Sequence, residues 1–479
     1  MLEASSHQQL KALLRQEGAP RWPHHLSLSR LVGRSLRRRD QTLIRLVPGS
    51  DPSWWISLLV PLALSETPPV LVLGADSRRR LLQVDWPRLR AAGLAPPLWE
   101  GAAAPLERAL WLLGPDELVR AWRTGTLADR QLVIPEAEQL EAELRRALEV
   151  VIVPGDWEKL WRCQPQAEAS LRTLHLRLGQ RLLGHPGQSR RLVGICASDE
   201  APLRQLLALL APLPEPWSSW LICGDGAWCS WARVDRTLLQ WQLVRQPLQP
   251  LEQMADLFQS RGVVLLGAFI GDGADASRFG LRAPVEVALA DPPLEDPLPL
   301  YAPRRQPLPN TPVFAEHLLN QCRRLVLGQA GLTVVLVDDT NLRSGLAAGL
   351  AAEFGSRVCH ETTAPESNGV LCAGWRWWLA EQQRLPLPGQ VVVGLLPIDS
   401  LEDPLTAARV DQLRQQGRDW FRELLLPEAI GRLQRGLCSL RRGGGRLAIL
   451  DGRLRGRSWG GHVLRALDPW VELPRLLPD

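Results

Sequence analysis

LLPEAIGRLQRGLCSLRRGGGRLAILDGRLRGRSWGGHVLRALDPW, residues 425–470, is the stretch on which the fold is read. A helical run extends from about Pro427 to Arg442, and Gly443-Gly444-Gly445 stops it. The apolar stretch Arg446–Leu450 follows as a strand. A helix delivered through glycines into a short apolar strand is one step of a parallel α/β sheet.

Working upstream, the same step repeats. Strands are expected at Val391–Leu396, Val370–Ala373 and Leu332–Val337, with a helix over 313–327. Residues 291–312 hold eight prolines and read as an extended linker. Before it, a helix at His25–Arg38 leads to a strand at Gln41–Val47, a loop over 48–53, a helix at Trp54–Leu64 and a strand at Val70–Leu73. The strand Gln131–Ile134 runs into the acidic stretch Glu136–Glu143, and Gly262–Leu266 reads as a returning strand. Between them, 145–255 reads as a mostly helical insertion, with weaker strand signals at Leu192–Ile195 and Trp220–Cys223. The expected organisation is therefore α/β with two doubly wound parallel-sheet lobes. Residues 1–144 form the first part of lobe one, 145–255 the insertion and 256–290 the return of lobe one. The linker 291–312 then leads to lobe two at 313–479.

Composition sets the outer limits. The chain has 479 residues, 45% hydrophobic and 22% charged, which is globular and far from disordered. Its polar N-terminus is not that of a signal peptide. The apolar run 56–74 is broken by Ser65-Glu66-Thr67-Pro68-Pro69, so no membrane span is expected and the protein is placed in the cytoplasm. The eight cysteines lack any CxxC pair and read as free buried thiols without a metal. Lysine occurs only at 11 and 159, so nearly all of the 56 basic residues are arginine. They cluster at 30–39 and 432–457, and Arg37, Arg38, Arg39, Arg441, Arg442, Arg453 and Arg455 are the candidate nucleic-acid contacts. A basic stretch is more often a solvated helix face. The tryptophans sit among leucines and read as core.

Several separated elements resemble the DinG/XPD-type DNA helicases. The last block of that family reads roughly L-P-x-A-x-x-x-x-x-Q-G-x-G-R-x-x-R, then a strand ending L-D-x-R, then Y-G-x-x-x-L-x-x-L-P. Leu426-Pro427, Ala429, Gln434, Arg441, Leu450-Asp451-Gly452-Arg453, Gly460, Leu464 and Leu467 fall at matching spacing. Leu387-Pro388-Gly389 with the strand after it, and Asp403-Pro404 through Arg409, precede the block in family order. The resemblance implies two RecA-like lobes of P-loop NTPase type, with ATP and magnesium between them.

The nucleotide motifs are defaced. A phosphate loop needs glycines for close backbone approach, a lysine for the β/γ oxygens and a hydroxyl for magnesium. In the family's frame, Gly49, Ser50 and Ser53 occupy the loop, but the lysine position is Trp54 and the hydroxyl position Trp55. The family's D-E-A-H box is Pro135-Glu136-Ala137-Glu138, in which the magnesium aspartate has become proline. The S-A-T box would be Gly267-Ala268-Phe269, and the first transition-state arginine position is Cys438. Gly271-Asp272-Gly273 is a turn, not a replacement phosphate loop. No cysteine lies between 55 and 135, where iron–sulfur members carry four, so no cluster is expected. No intact catalytic set and no firm cofactor remain. The expectation is a pseudo-helicase that binds single-stranded DNA or another nucleic acid, with a protein partner in view. An active helicase with atypical motifs, or a scaffold that binds protein alone, stands as the alternative.

Overall fold

The computed structural model describes residues 2–18, 22–48, 50–184, 192–222, 228–268, 279–282, 284–290, 296–328 and 330–473. Gly49, Cys223, Phe269 and the stretch Gly271-Asp272-Gly273, expected as a turn, lie outside them.

Two helices, α1 (Leu2–Glu17) and α2 (His25–Arg38), lead into β1 (Gln41–Leu46) and α3 (Trp54–Leu64). Then come β2 (Val70–Val72), α4 (Ala75–Arg80), β3 (Leu98–Trp99), β4 (Leu110–Leu113) and β5 (Leu132–Pro135). The insertion contributes β6 (Val150–Ile152), β7 (Leu192–Gly194), β8 (Trp228–Asp235) and β9 (Gln240–Pro247). The first lobe closes with β10 (Val263–Gly267) and β11 (Val285–Leu289). Its seven strands run in the order β11-β1-β10-β5-β2-β4-β3, all parallel. Such a sheet is buried on both faces, which is why its strands are unbroken apolar runs rather than alternating ones.

The second lobe repeats this. It contains β12 (Leu298–Tyr301), β13 (Thr333–Leu336), β14 (Val358–His360), β15 (Val370–Ala373), β16 (Gln390–Val393), β17 (Arg446–Ile449) and β18 (Trp470–Glu472). Their order is β14-β15-β13-β16-β17-β12-β18, again all parallel. The proline-rich stretch thus supplies a strand, β12, lying between β17 and β18. Its prolines leave Leu298 and Leu300 to fill the core.

The insertion is helix-rich and has a strand at Leu192–Gly194, as expected, but it also carries a sheet of which the sequence signals caught only that strand. Four antiparallel strands, β6-β9-β8-β7, form a sheet covered by helices that include Pro154–Cys163 and Glu168–Leu183. Of the segment expected as a strand at Trp220–Cys223, the described residues 220–222 are instead the end of a helix, Trp217–Ile222. Trp217 and Trp220 pack with Trp157 and Trp241 in the core of this unit.

The expected single helix 427–442 is two, Leu426–Gly436 and Cys438–Arg442. The thiols are not uniformly buried, since Cys163 and Cys196 are exposed while Cys229, Cys322 and Cys372 are inside. Among the described residues no helix is long and apolar enough to cross a membrane, and no His/Cys/Asp/Glu group could hold a metal ion.

The helix Pro404–Gln415 of the second lobe docks on the insertion sheet. Leu405 and Ala408 pack against Cys229, Trp231, Val244 and Leu248, and the Cys229 thiol donates to the Pro404 carbonyl at 3.4 Å. Beside this apolar patch, Arg409 Nη2 pairs with Glu428 at 2.7 Å and with Glu141 of the first lobe at 3.4 Å. Glu141 is also held by Arg145 at 2.5 Å. The lobes therefore meet along an apolar seam and a charged one.

Candidate functional site: the inter-lobe cleft

In parallel α/β sheets, ligands bind beyond the carboxyl ends of the strands. Beyond the end of β1 that position belongs to the loop entering α3. The loop closes on itself. Ser50 Oγ donates to the Val47 carbonyl at 2.8 Å, and the Ser53 amide donates to Asp51 Oδ1 at 2.8 Å. The Trp54 and Trp55 amides donate to the Asp51 and Pro52 carbonyls, both at 3.2 Å. These N–H groups at the start of α3 are the ones a phosphate would need, and each already has an acceptor. Arg80 also donates to the Pro52 carbonyl, at 3.2 Å.

The indoles settle what fills the space. Trp54 and Trp55 are 8% and 2% exposed and stack with ring centroids 4.8 Å apart. They belong to the core that α1 and α2 build against β1 and α3, so they point into protein rather than toward a ligand. His25, buried on α2, shares a 2.6 Å hydrogen bond with Ser57 Oγ and a 3.4 Å one with Ser53 Oγ. ATP with magnesium does not fit these residues. The loop donors are spent internally, an indole stands at the lysine position, and Pro135 offers no carboxylate.

The stretch Pro135-Glu136-Ala137-Glu138, expected as the acidic box, lies at the end of β5. Glu136 sits in the left-handed region, φ +59°, a conformation a glutamate adopts only under constraint. Its carboxylate accepts from Ser77 Oγ and, at 3.3 Å, from Gln139 Nε2. Glu138 Oε2 is buried without a hydrogen-bond partner. Both glutamates keep some surface, yet their carboxylates are walled in. Burial pushes Glu138 up to about 8, and the charges of Glu136 and Glu143 add to it against the pull of Arg435. Burial likewise raises Glu143 to about 7 and is also the main cause that raises Glu136.

Arg435, on the helix Leu426–Gly436, faces this cluster from the second lobe. Burial lowers its proton affinity while Glu138 and Glu136 oppose that shift. It forms no hydrogen bond or ion pair through its side chain among the described residues, so it acts on the glutamates at longer range. Arg432, one turn earlier, is committed to Asp399 through two 2.5 Å contacts.

The remaining sequence-derived positions turn elsewhere. Gln434 Nε2 donates to the Ala466 carbonyl at 2.8 Å, and Arg441 donates to the carbonyls of Leu467 and, at 3.5 Å, Pro469. The Cys438 thiol donates to the Gln434 carbonyl at 3.4 Å, and burial pushes it up to about 11. These groups tie down the carboxyl-terminal end of lobe two. The structure thus brings Glu136 and Glu138 together with Arg435 and Glu143, which the motif reading passed over. Helical spacing carried the signal, because 428, 432 and 435 share one face of Leu426–Gly436.

Of the candidate nucleic-acid arginines, Arg37 pairs with Glu3 at 2.8 Å, Arg38 with Asp40 at 3.8 Å and Arg39 with Asp129 at 2.7 Å. Arg453 pairs with buried Asp451 at 2.6 Å, and Arg455 with Glu472 at 3.3 Å. Arg442 is exposed.

Two parallel seven-stranded lobes with the cleft between them define the fold of the RecA-like helicases. Solved structures agree. S. tokodaii Xpd4 matches with a TM-score of 0.59 at 13% identity, covering 92% of this chain and 97% of that one. An apo XPD structure matches with a TM-score of 0.61 at 12% identity, covering 93% and 100%. In sequence, the chain is 35% identical over 105 residues to the ATP-dependent DNA helicase YoaA of Escherichia coli K12. It is 30% identical over 128 residues to YoaA of Haemophilus influenzae. Those stretches cover 21% and 26% of this chain, but only 16% and 20% of the relatives. No protein-family model matches. The chain is a relative of the DinG/XPD-type helicases.

Proposed function

We propose that this chain is a helicase-like nucleic-acid-binding protein whose inter-lobe cleft no longer turns over ATP. One observation carries the reading: the stacked, buried pair Trp54–Trp55 fills the place where a phosphate loop needs a lysine and a hydroxyl. Neighbouring features support it. The α3 amides are satisfied inside the loop, and Pro135 replaces the metal-binding carboxylate. Phosphoryl transfer depends on positioning and charge stabilisation, and neither remains at these positions. Nucleic-acid binding is supported by the helicase relationship and by the arginine-rich surface.

The test is magnesium-dependent ATP hydrolysis by the purified chain, with and without single-stranded DNA, beside a Trp54→Ala/Glu136→Gln control. The expected rate equals the control's under both conditions, while labelled single-stranded DNA binds at low salt. DNA-stimulated turnover well above the control overturns the inactive-cleft reading. Absence of DNA binding at low salt overturns the nucleic-acid reading.

A further inference from the structure

We infer that the outer face of the α1–α2 hairpin is a nucleic-acid contact lying outside the inter-lobe cleft, gripping the phosphate backbone of a single strand. The inference rests on the nucleic-acid reading above and assigns it a surface.

The two helices bury one side and charge the other. Leu10 and Leu13 of α1, with Leu28, Val32 and Leu36 of α2, enter the core beneath, with Ile44 and Leu58. On the outer side of α2, every exposed position from Arg30 onward is arginine: 30, 34, 37 and 38. Lys11 and Arg15 stand exposed one turn apart on α1. Arg30 of α2 and Lys11 of α1 come close enough to act on one ring. The half-buried His7 ring of α1 loses proton affinity first to burial and then to the charges of Arg30 and Lys11.

The pairing is uneven. Arg37 and Arg38 are neutralised by Glu3 and Asp40. Lys11, Arg15, Arg30 and Arg34 make no ion pair or side-chain hydrogen bond among the described residues. Four unpaired cations on a hairpin otherwise held by apolar packing contribute nothing visible to the fold, and their mutual repulsion opposes it. A polyanion removes that repulsion. Phosphate suits it best, because guanidinium forks match phosphate oxygens and condensed counterions are released on contact.

Counterion release makes the idea quantitative. Each single-strand phosphate contact adds about 0.7 to the slope of log affinity against log salt, so four contacts add roughly 3. The experiment measures fluorescence anisotropy of a labelled oligothymidylate from 50 to 300 mM salt. It compares the full chain with the quadruple variant Lys11→Gln/Arg15→Gln/Arg30→Gln/Arg34→Gln. A second variant, Arg37→Gln/Arg38→Gln, tests the paired arginines, and thermal melting verifies that both variants fold.

The quadruple variant is expected to lose about 3 from the salt slope and on the order of a thousandfold in affinity at 50 mM salt. The paired variant is expected to lose under 1 from the slope. Steep binding by the wild type with an unchanged slope in the quadruple variant overturns the hairpin assignment while leaving the nucleic-acid reading intact. No binding by the wild type overturns both. Polyglutamate competing as strongly as the oligonucleotide overturns it in favour of an acidic protein segment.

Discussion

Glu138 is the residue whose replacement tests the electrostatics of the cleft most sharply. Its carboxyl ordinarily titrates at 4.5, and in the fold it is pushed up to about 8 by burial and by Glu136. Unfolded, the group releases its proton near 4.5, whereas the native protein holds that proton until about 8. Between those values the native state binds more protons, so stability is complete below 4.5 and falls as pH rises toward 8. A tenfold change in proton affinity is worth about 1.4 kcal/mol, which puts the full cost of ionising Glu138 near 5 kcal/mol as an upper bound. Glu136 and Glu143 share the same field, so removing one charge relieves only part of that cost. Glu138→Gln is therefore expected to add about 2 kcal/mol at pH 8, a rise of roughly 2 °C in melting temperature, and nothing at pH 5. Thermal melting of both proteins from pH 5 to 8.5 measures the difference. Parallel curves, or a variant less stable than wild type at pH 8, would refute the account of a crowded, proton-holding carboxylate cluster.

Three further outcomes follow from the geometry. Trp54→Lys places an ammonium at the proposed phosphate-loop lysine position, inside a packed core. It should cost about 3 kcal/mol or more in stability and restore no ATP hydrolysis, as denaturation and turnover assays will show. Arg409→Ala leaves Glu141 with Arg145 and Glu428 with Arg432, so both carboxylates stay partnered while the link between the lobes is lost. Hydrogen exchange should quicken along Pro404–Gln415, with a stability cost of about 1 kcal/mol. Arg39→Ala breaks only an exposed pair with Asp129 and should change stability by under about 1 kcal/mol in chemical denaturation.

Most of the α/β skeleton could be read because parallel strands buried on both faces are plain apolar runs. The helices His25–Arg38 and Trp54–Leu64 and the strand Val370–Ala373 match their expected bounds. The insertion could not be read in the same way. Its long hairpin turns at Arg236-Thr237-Leu238-Leu239 without glycine, proline or asparagine, and Leu239 takes a positive φ of 52°. Tryptophan and leucine fill both its strands and the helices over them, so no periodicity separated the two. The cleft was half legible. Motif spacing pointed to Glu136 and Glu138, but the family pattern falls on Gln434, Cys438 and Arg441 rather than on Arg435. The break at Leu437 and the close approach of Glu143 to Gly74 are tertiary facts that no spacing announces.

The entry of β12 into the second sheet has a consequence for how the halves can part. Only residues 290–297 separate β11 in one sheet from β12 in the other. Eight residues span at most about 30 Å when fully stretched. A tether that short keeps the lobes at an effective concentration on the order of millimolar. A docking surface too weak to hold two separate molecules together then stays mostly occupied. Severing the Arg409 seam alone should therefore loosen the helix Pro404–Gln415 without increasing the hydrodynamic radius, because the apolar seam rebinds faster than the lobes can drift apart.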